Sequence, residues 1–83
     1  MIATRYFLEQ VLRKRPYLTI EMCAGVIADP LRIVVQDDGR IRHWGKVTLP
    51  NEFETRILRV VTLEDGATLH NAFIDRDFEE DGA

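Results

Sequence analysis

With 83 residues and a formal charge of −3, the chain has room for one domain with a small core. Its composition, 46% hydrophobic and 30% charged with five Gly and three Pro, excludes a disordered chain, a collagen-like repeat and a multidomain enzyme. A core of this size is marginal and gains from a partner or from self-association. The longest apolar run, Met22 to Ala28, falls far short of the ~20 residues of a membrane helix, so no membrane partner is expected. The first ten residues lack an apolar stretch followed by small residues, and are not expected to be a secretory signal. The single cysteine, Cys23, excludes an internal disulfide and a multi-cysteine zinc site. A cytoplasmic protein is expected.

Charge is distributed unevenly. Residues 1–63 hold ten Lys/Arg against seven Asp/Glu, whereas residues 64–83 hold only Arg76 against seven acids. A mildly basic body could meet a phosphate backbone, and an acidic tail over about residues 75–83 could cover that surface or simply be a solvated terminus. The acidic balance of the whole chain argues against strong non-specific nucleic-acid binding.

Thr4 to Arg15 reads as a first helix, capped by Thr4, with Phe7, Leu8, Val11 and Leu12 on one stripe. Arg13, Lys14 and Arg15 complement its C-terminal dipole and Pro16 stops it. Thr19 caps a second helix to about Ala28, whose stripe of Ile20, Cys23, Ala24, Ile27 and Ala28 puts Cys23 in a packing role. The period then changes to strands. Leu31–Gln36 and Arg40–Val47 flank the turn Asp37-Asp38-Gly39, a loop covers Thr48 to Thr55, and Arg56–Leu63 and Ala67–Phe73 flank Asp65-Gly66. The expectation is one α+β domain over residues 1–83, with two N-terminal helices packed on a four-stranded antiparallel meander.

A two-residue turn at Asp65-Gly66 sets Thr62 opposite Leu69 and Val61 opposite His70. Arg59 and His70 then share one face as diagonal neighbours, while Leu58, Val60, Thr62, Leu69, Asn71 and Phe73 fill the face under the helices. A permanent cation beside a group that titrates near neutrality can bind a phosphate and move a proton during its cleavage. The bland alternative makes His70 a half-buried sheet residue and pairs Arg59 with an acid such as Glu54. On the preceding strand, Arg40, Arg42, Trp44 and Lys46 alternate onto one face, three cations around an indole, as in a stacking platform with phosphate contacts. Alternatively Trp44 is core and the cations protect an edge. His43 points the other way, toward the core. Arg76 either turns back toward the sheet or pairs with its flanking acids. No metal-ligand spacing, phosphate loop or Ser/His/Asp order is visible.

This helix-helix-four-strand order resembles the RelE/ParE toxin superfamily of bacterial toxin–antitoxin modules. The stretch from Asp38-Gly39-Arg40-Ile41-Arg42-His43-Trp44 through Leu58-Arg59-Val60-Val61-Thr62 to Asp75-Arg76-Asp77-Phe78 resembles a small bacterial branch of it. The resemblance implies a RelE-like fold and metal-independent cleavage of mRNA, often on the ribosome, with no cofactor. The ribose 2′-hydroxyl attacks the adjacent phosphate while cations stabilise the added charge. By this resemblance Arg59 and His70 are the catalytic residues, Arg42 or Lys46 is the basic residue of the second strand, and Arg76 is a further phosphate ligand. Arg40, Arg42, Trp44, Lys46 and Arg76 together form the expected RNA-binding set. The implied partner is a cognate antitoxin protein, with mRNA or the ribosome as target; a homodimer is a further expected association because the core is small. The chain departs from the pattern in having no tyrosine beyond Tyr17, with Phe78 where one is expected. A ParE-like or inactive member that binds a protein without catalysis is the alternative.

Overall fold

The computed structural model describes residues 2–79. Among them the chain forms two short helical segments and one four-stranded antiparallel sheet, an α+β arrangement. The first segment, α1, is a π-helical turn over Phe7–Val11 that continues as an α-helical turn over Leu12–Lys14. Thr4 Oγ1 accepts the Phe7 amide at 3.1 Å, so the capping expected of Thr4 is present. The Leu12 amide donates to the Phe7 carbonyl, a five-residue step that widens the turn. Phe7 and Val11 stay buried, whereas Leu8 is turned outward. The chain leaves the helix at Arg15, as Pro16 requires.

Helix α2 spans Ile20–Ala28, and Thr19 accepts the Met22 amide at 3.1 Å. Cys23 is buried and Ile20 and Ile27 pack half-buried against the core, as the spacing suggests, while Val26 is buried beside them and Ala28 is exposed. Val26 lies against Gly45 in the sheet, where any side chain would meet it at 3.0 Å. That close approach sets which face of α2 turns inward.

The strands are β1 (Arg32–Val35), β2 (Ile41–Thr48), β3 (Thr55–Thr62) and β4 (Leu69–Ile74), in spatial order β1-β2-β3-β4. Gly39 and Gly66 take φ of 90° and 69° in the two turns, conformations that suit glycine. Asp65 anchors the second turn by accepting the Ala67 and Thr68 amides and the Thr68 hydroxyl. The core joins Phe7, Val11, Leu18, Cys23 and Val26 to Leu58, Val60, Leu69 and Ala72. His43 is buried as expected, its Nδ1–H donating to the Val60 carbonyl at 3.2 Å. Cys23 is fully buried, and burial pushes its thiol up to about 11, so it is a packing group.

Thr62 pairs with Leu69 as expected, but a β-bulge follows and Val61 pairs with Asn71. His70 is the extra residue. Beyond it Ala72, not Asn71 or Phe73, turns into the core. Asn71 and Phe73 pass to the open face, which corrects their placement under the helices. The bulge sits where the N-terminal segment joins β4: Thr4 N donates to Leu69 O at 2.8 Å and Leu69 N to Ile2 O at 3.0 Å.

Candidate functional site

The sheet face opposite the helices carries a continuous row across all four strands. Arg32 pairs with Trp44, Trp44 with Arg59, and Arg59 with Phe73. Cation and aromatic ring alternate along it. The Arg59 guanidinium carbon lies 4.6 Å from the Phe73 ring centroid and 5.9 Å from that of Trp44. Arg42 stands one row away on the same face, opposite Val61, and Lys46 lies beyond Trp44 on the same strand, exposed.

Arg42 and Arg59 are both partly buried, and the Nε of each is shielded from solvent with no hydrogen-bond partner. Burial, with the neighbouring Arg42 charge second, holds the Arg59 pKa below its ordinary value, while Asp75 opposes them. Two neighbouring cations that repel each other make this face receptive to an anion.

Residues Asp75–Glu79 fold back across one end of the row. Trp44 Nε1 donates to Asp75 Oδ2 at 2.9 Å, and Phe78 stacks on the indole with centroids 5.7 Å apart. Arg32 lies 4.7 Å from the Phe78 ring centroid and donates to the Glu79 carbonyl at 3.1 Å. Trp44 is thereby left only 7% exposed. The Trp44 hydrogen bond is the main cause holding the Asp75 carboxyl below the usual range, helped by the Asp77 amide and Arg59 against burial. Beside this strap is an open groove of about 350 Å³, lined by Arg32, Trp44, Asp75, Asp77, Phe78 and Glu79.

The structure does not bring the expected catalytic pair together. Arg59 sits between Trp44 and Phe73, whereas the bulge places His70 at the β4 edge, where its Nδ1 is 3.1 Å from Thr4 Oγ1 and its ring 5.1 Å from that of Tyr6. Burial, then the Arg40 charge, holds the His70 pKa below its ordinary value, against Asp38. Arg40 precedes β2, in the first turn, with its amide on Asp38 Oδ1 at 2.9 Å and its Nε 3.9 Å from Asp38 Oδ2. Arg76 is exposed in the turn after β4. Of the expected acidic tail, Asp75, Asp77 and Glu79 belong to the strap, and residues 80–83 lie outside the described residues.

Sequence reasoning missed Arg32, Phe73, Asp75 and Phe78 as members of this face. The Arg32 signal was its position at the start of a short strand opposite Trp44. Phe73 was hidden by the bulge. Among the described residues no cluster of three or more His, Cys, Asp and Glu is arranged to hold a metal, and no helix is long and apolar enough to cross a membrane. Comparison with protein-family models, curated proteins and solved structures gave no match.

Proposed function

We propose that this chain is the toxin-like component of a bacterial toxin–antitoxin module, a RelE-like domain that acts in the cytoplasm and engages mRNA on the open face of its sheet. The observation that supports it is the Arg32-Trp44-Arg59-Phe73 row with Arg42 beside it. Bases stack on aromatic side chains irrespective of sequence, and guanidinium groups hold the phosphates between them. In metal-independent cleavage Arg59 and Arg42 would stabilise the charge added to the phosphate as the 2′-hydroxyl attacks. His70, against Thr4 and Tyr6, does not stand beside that phosphate. Asp75 does stand beside Arg59, but hydrogen bonds favour its ionised form, so it is no proton donor near neutral pH. The geometry therefore supports RNA binding more directly than the proton transfers of a ribonuclease.

A second reading, binding of an acidic partner protein without catalysis, is favoured by the strap itself. The segment already lying on the row carries Asp75, Phe78 and Glu79, which is the chemistry of an acidic, aromatic peptide. Induced expression of the wild type and of Arg59→Gln, with growth and mRNA integrity followed, tests the first reading. Arrest and mRNA depletion by the wild type alone support it. Unchanged growth, with no binding of a single-stranded RNA oligomer by the purified chain, removes it in favour of the second.

A further inference from the structure

The two edges of the sheet are finished differently. Along β4, residues 2–4 lie beside the strand and hydrogen-bond to Leu69. β1 is the other edge, and among the described residues no strand lies on its outer side. The Gln36 amide donates to the Arg40 carbonyl at 2.7 Å, and the register continues as Val34 opposite Arg42 and Arg32 opposite Trp44. Even-numbered residues therefore turn their backbone groups toward β2, which leaves the N–H and C=O of Ile33 and Val35 facing outward.

The side chains there are apolar and open to solvent. Ile33 is 55% exposed and Val35 64%, with Leu31 and Val34 exposed beside them. The one charge within Arg32–Val35 is Arg32 at its start, where the Leu31 amide also donates to the Trp44 carbonyl; from Ile33 to Val35 the edge has no charge, no proline and no bulge. Ile33 lies opposite the buried His43, on the helix side of the sheet, yet α2 packs over β2 and β3. An apolar ledge thus continues past the helical layer to an unpaired edge.

We propose that β1 is the interface of a homodimer, in which a second copy of this chain adds its own β1 antiparallel across a two-fold axis at Val34. With the axis there, Ile33 of each copy pairs with Val35 of the other, and all four outward amides gain carbonyl partners. Val34 meets its own copy. Arg32 of each strand comes opposite Gln36 and beside the acidic turn Asp37-Asp38 of the other. The segment is therefore complementary to its own reverse in both hydropathy and charge, a cation at its start and two acids just past its end. A second copy meets both conditions by symmetry. The dimer has one continuous sheet, and it stands independently of any ligand on the open face.

Sedimentation equilibrium of the full chain should give twice the mass of one chain. Val35→Lys, a change at an exposed position, should give a single-chain mass with an unchanged circular dichroism spectrum. Val34→Cys should form an intermolecular disulfide under mild oxidation, because residues facing each other across an antiparallel pair bring Cβ atoms within bridging distance. Ala67→Cys, exposed in the second turn, should not, and buried Cys23 stays out of the reaction. A single-chain mass that persists at high protein concentration overturns the proposal. So does a dimer that keeps its mass in Val35→Lys and fails to cross-link through Val34→Cys.

Discussion

Arg59 lies directly across β3–β4 from Phe73, with its guanidinium carbon 4.6 Å from the ring centroid. That pairing exists because one residue, His70, bulges out of β4 and turns Phe73 to the open face. The same bulge carries His70 to Thr4 and Tyr6. A single extra residue thus exchanges an arginine–histidine pair for an arginine–aromatic one.

Arg59→Met separates stability from binding. The change forfeits two cation–π contacts, to Phe73 and to Trp44, of about 0.5–1 kcal/mol each. It also removes a shielded, unpartnered donor and a repulsion from Arg42, and such orphaned groups cost about 1–3 kcal/mol. The expected thermal midpoint is unchanged or a few degrees higher. Affinity for single-stranded RNA should fall about tenfold, and the salt slope by ~0.7 for the lost phosphate contact. A clear drop in midpoint would show that Arg59 is chiefly a structural group.

The turns, caps and helix stops were legible because each is fixed by neighbours in sequence. Gly39 and Gly66 supply positive φ, Thr4 and Thr19 accept amides three residues on, and Pro16 ends a helix. The bulge was not legible. Leu69-His70-Asn71-Ala72-Phe73 breaks strict alternation with two polar residues in a row, but that alone fixes no bulge, and the segment that meets it, residues 2–4, lies more than 60 residues away in sequence. The alternation of Arg42, Trp44 and Lys46 was read correctly, since β2 has no bulge. Arg40 was misplaced by one residue at the strand's start, where the side chain of Asp38 draws the Arg40 amide into the turn. The Phe78–Trp44 stacking depends on how the chain turns after β4, which no local pattern announces.

Two glycines should respond oppositely to alanine. A Cβ on Gly45 would lie 3.0–3.2 Å from Val26, including its backbone Cα, so α2 must move off the sheet. Gly45→Ala should cost about 1–3 kcal/mol. A Cβ on Gly25, within α2, meets nothing within 4 Å, and Gly25→Ala should stabilise by about 0.5–1 kcal/mol through helix propensity. Urea midpoints of the two variants check both signs. Equal, small effects would mean that the α2–β2 contact is loose.

His70 should make stability pH-dependent in a window set by its depressed pKa. The folded state binds its proton less readily than the unfolded chain, so protonation favours unfolding. Its contribution is intact above the unfolded value of about 6.5 and declines as pH falls through the folded one. Thr4 Oγ1 already accepts the Phe7 amide, which leaves its proton for His70 Nδ1 and suits the neutral ring. Asp65 and Asp75, with lowered pKa values, act in a separate window: their stabilisation is present above about 4 and lost only below it. Urea unfolding at pH 7 and pH 5 should show a loss that His70→Gln abolishes. A loss of the same size in His70→Gln would assign it to another group.

Phe78→Ala tests whether the strap and a ligand share one surface. Phe78 stacks on Trp44 and carries Arg32 on its ring, so its removal should uncover the indole and loosen the Asp75–Glu79 segment. Trp44 fluorescence should shift to the red and become more accessible to iodide. The lost stacking is worth about 0.5–1 kcal/mol. If RNA must displace the strap, its affinity should rise about two- to five-fold by that amount. The thermal midpoint should fall slightly, because the strap covers only one end of the row and leaves the helix-side core untouched. An exposed Trp44 with unchanged RNA affinity would mean that RNA does not compete with the strap, and an acidic peptide tightened by the same substitution would then mark the partner-protein reading as the better one.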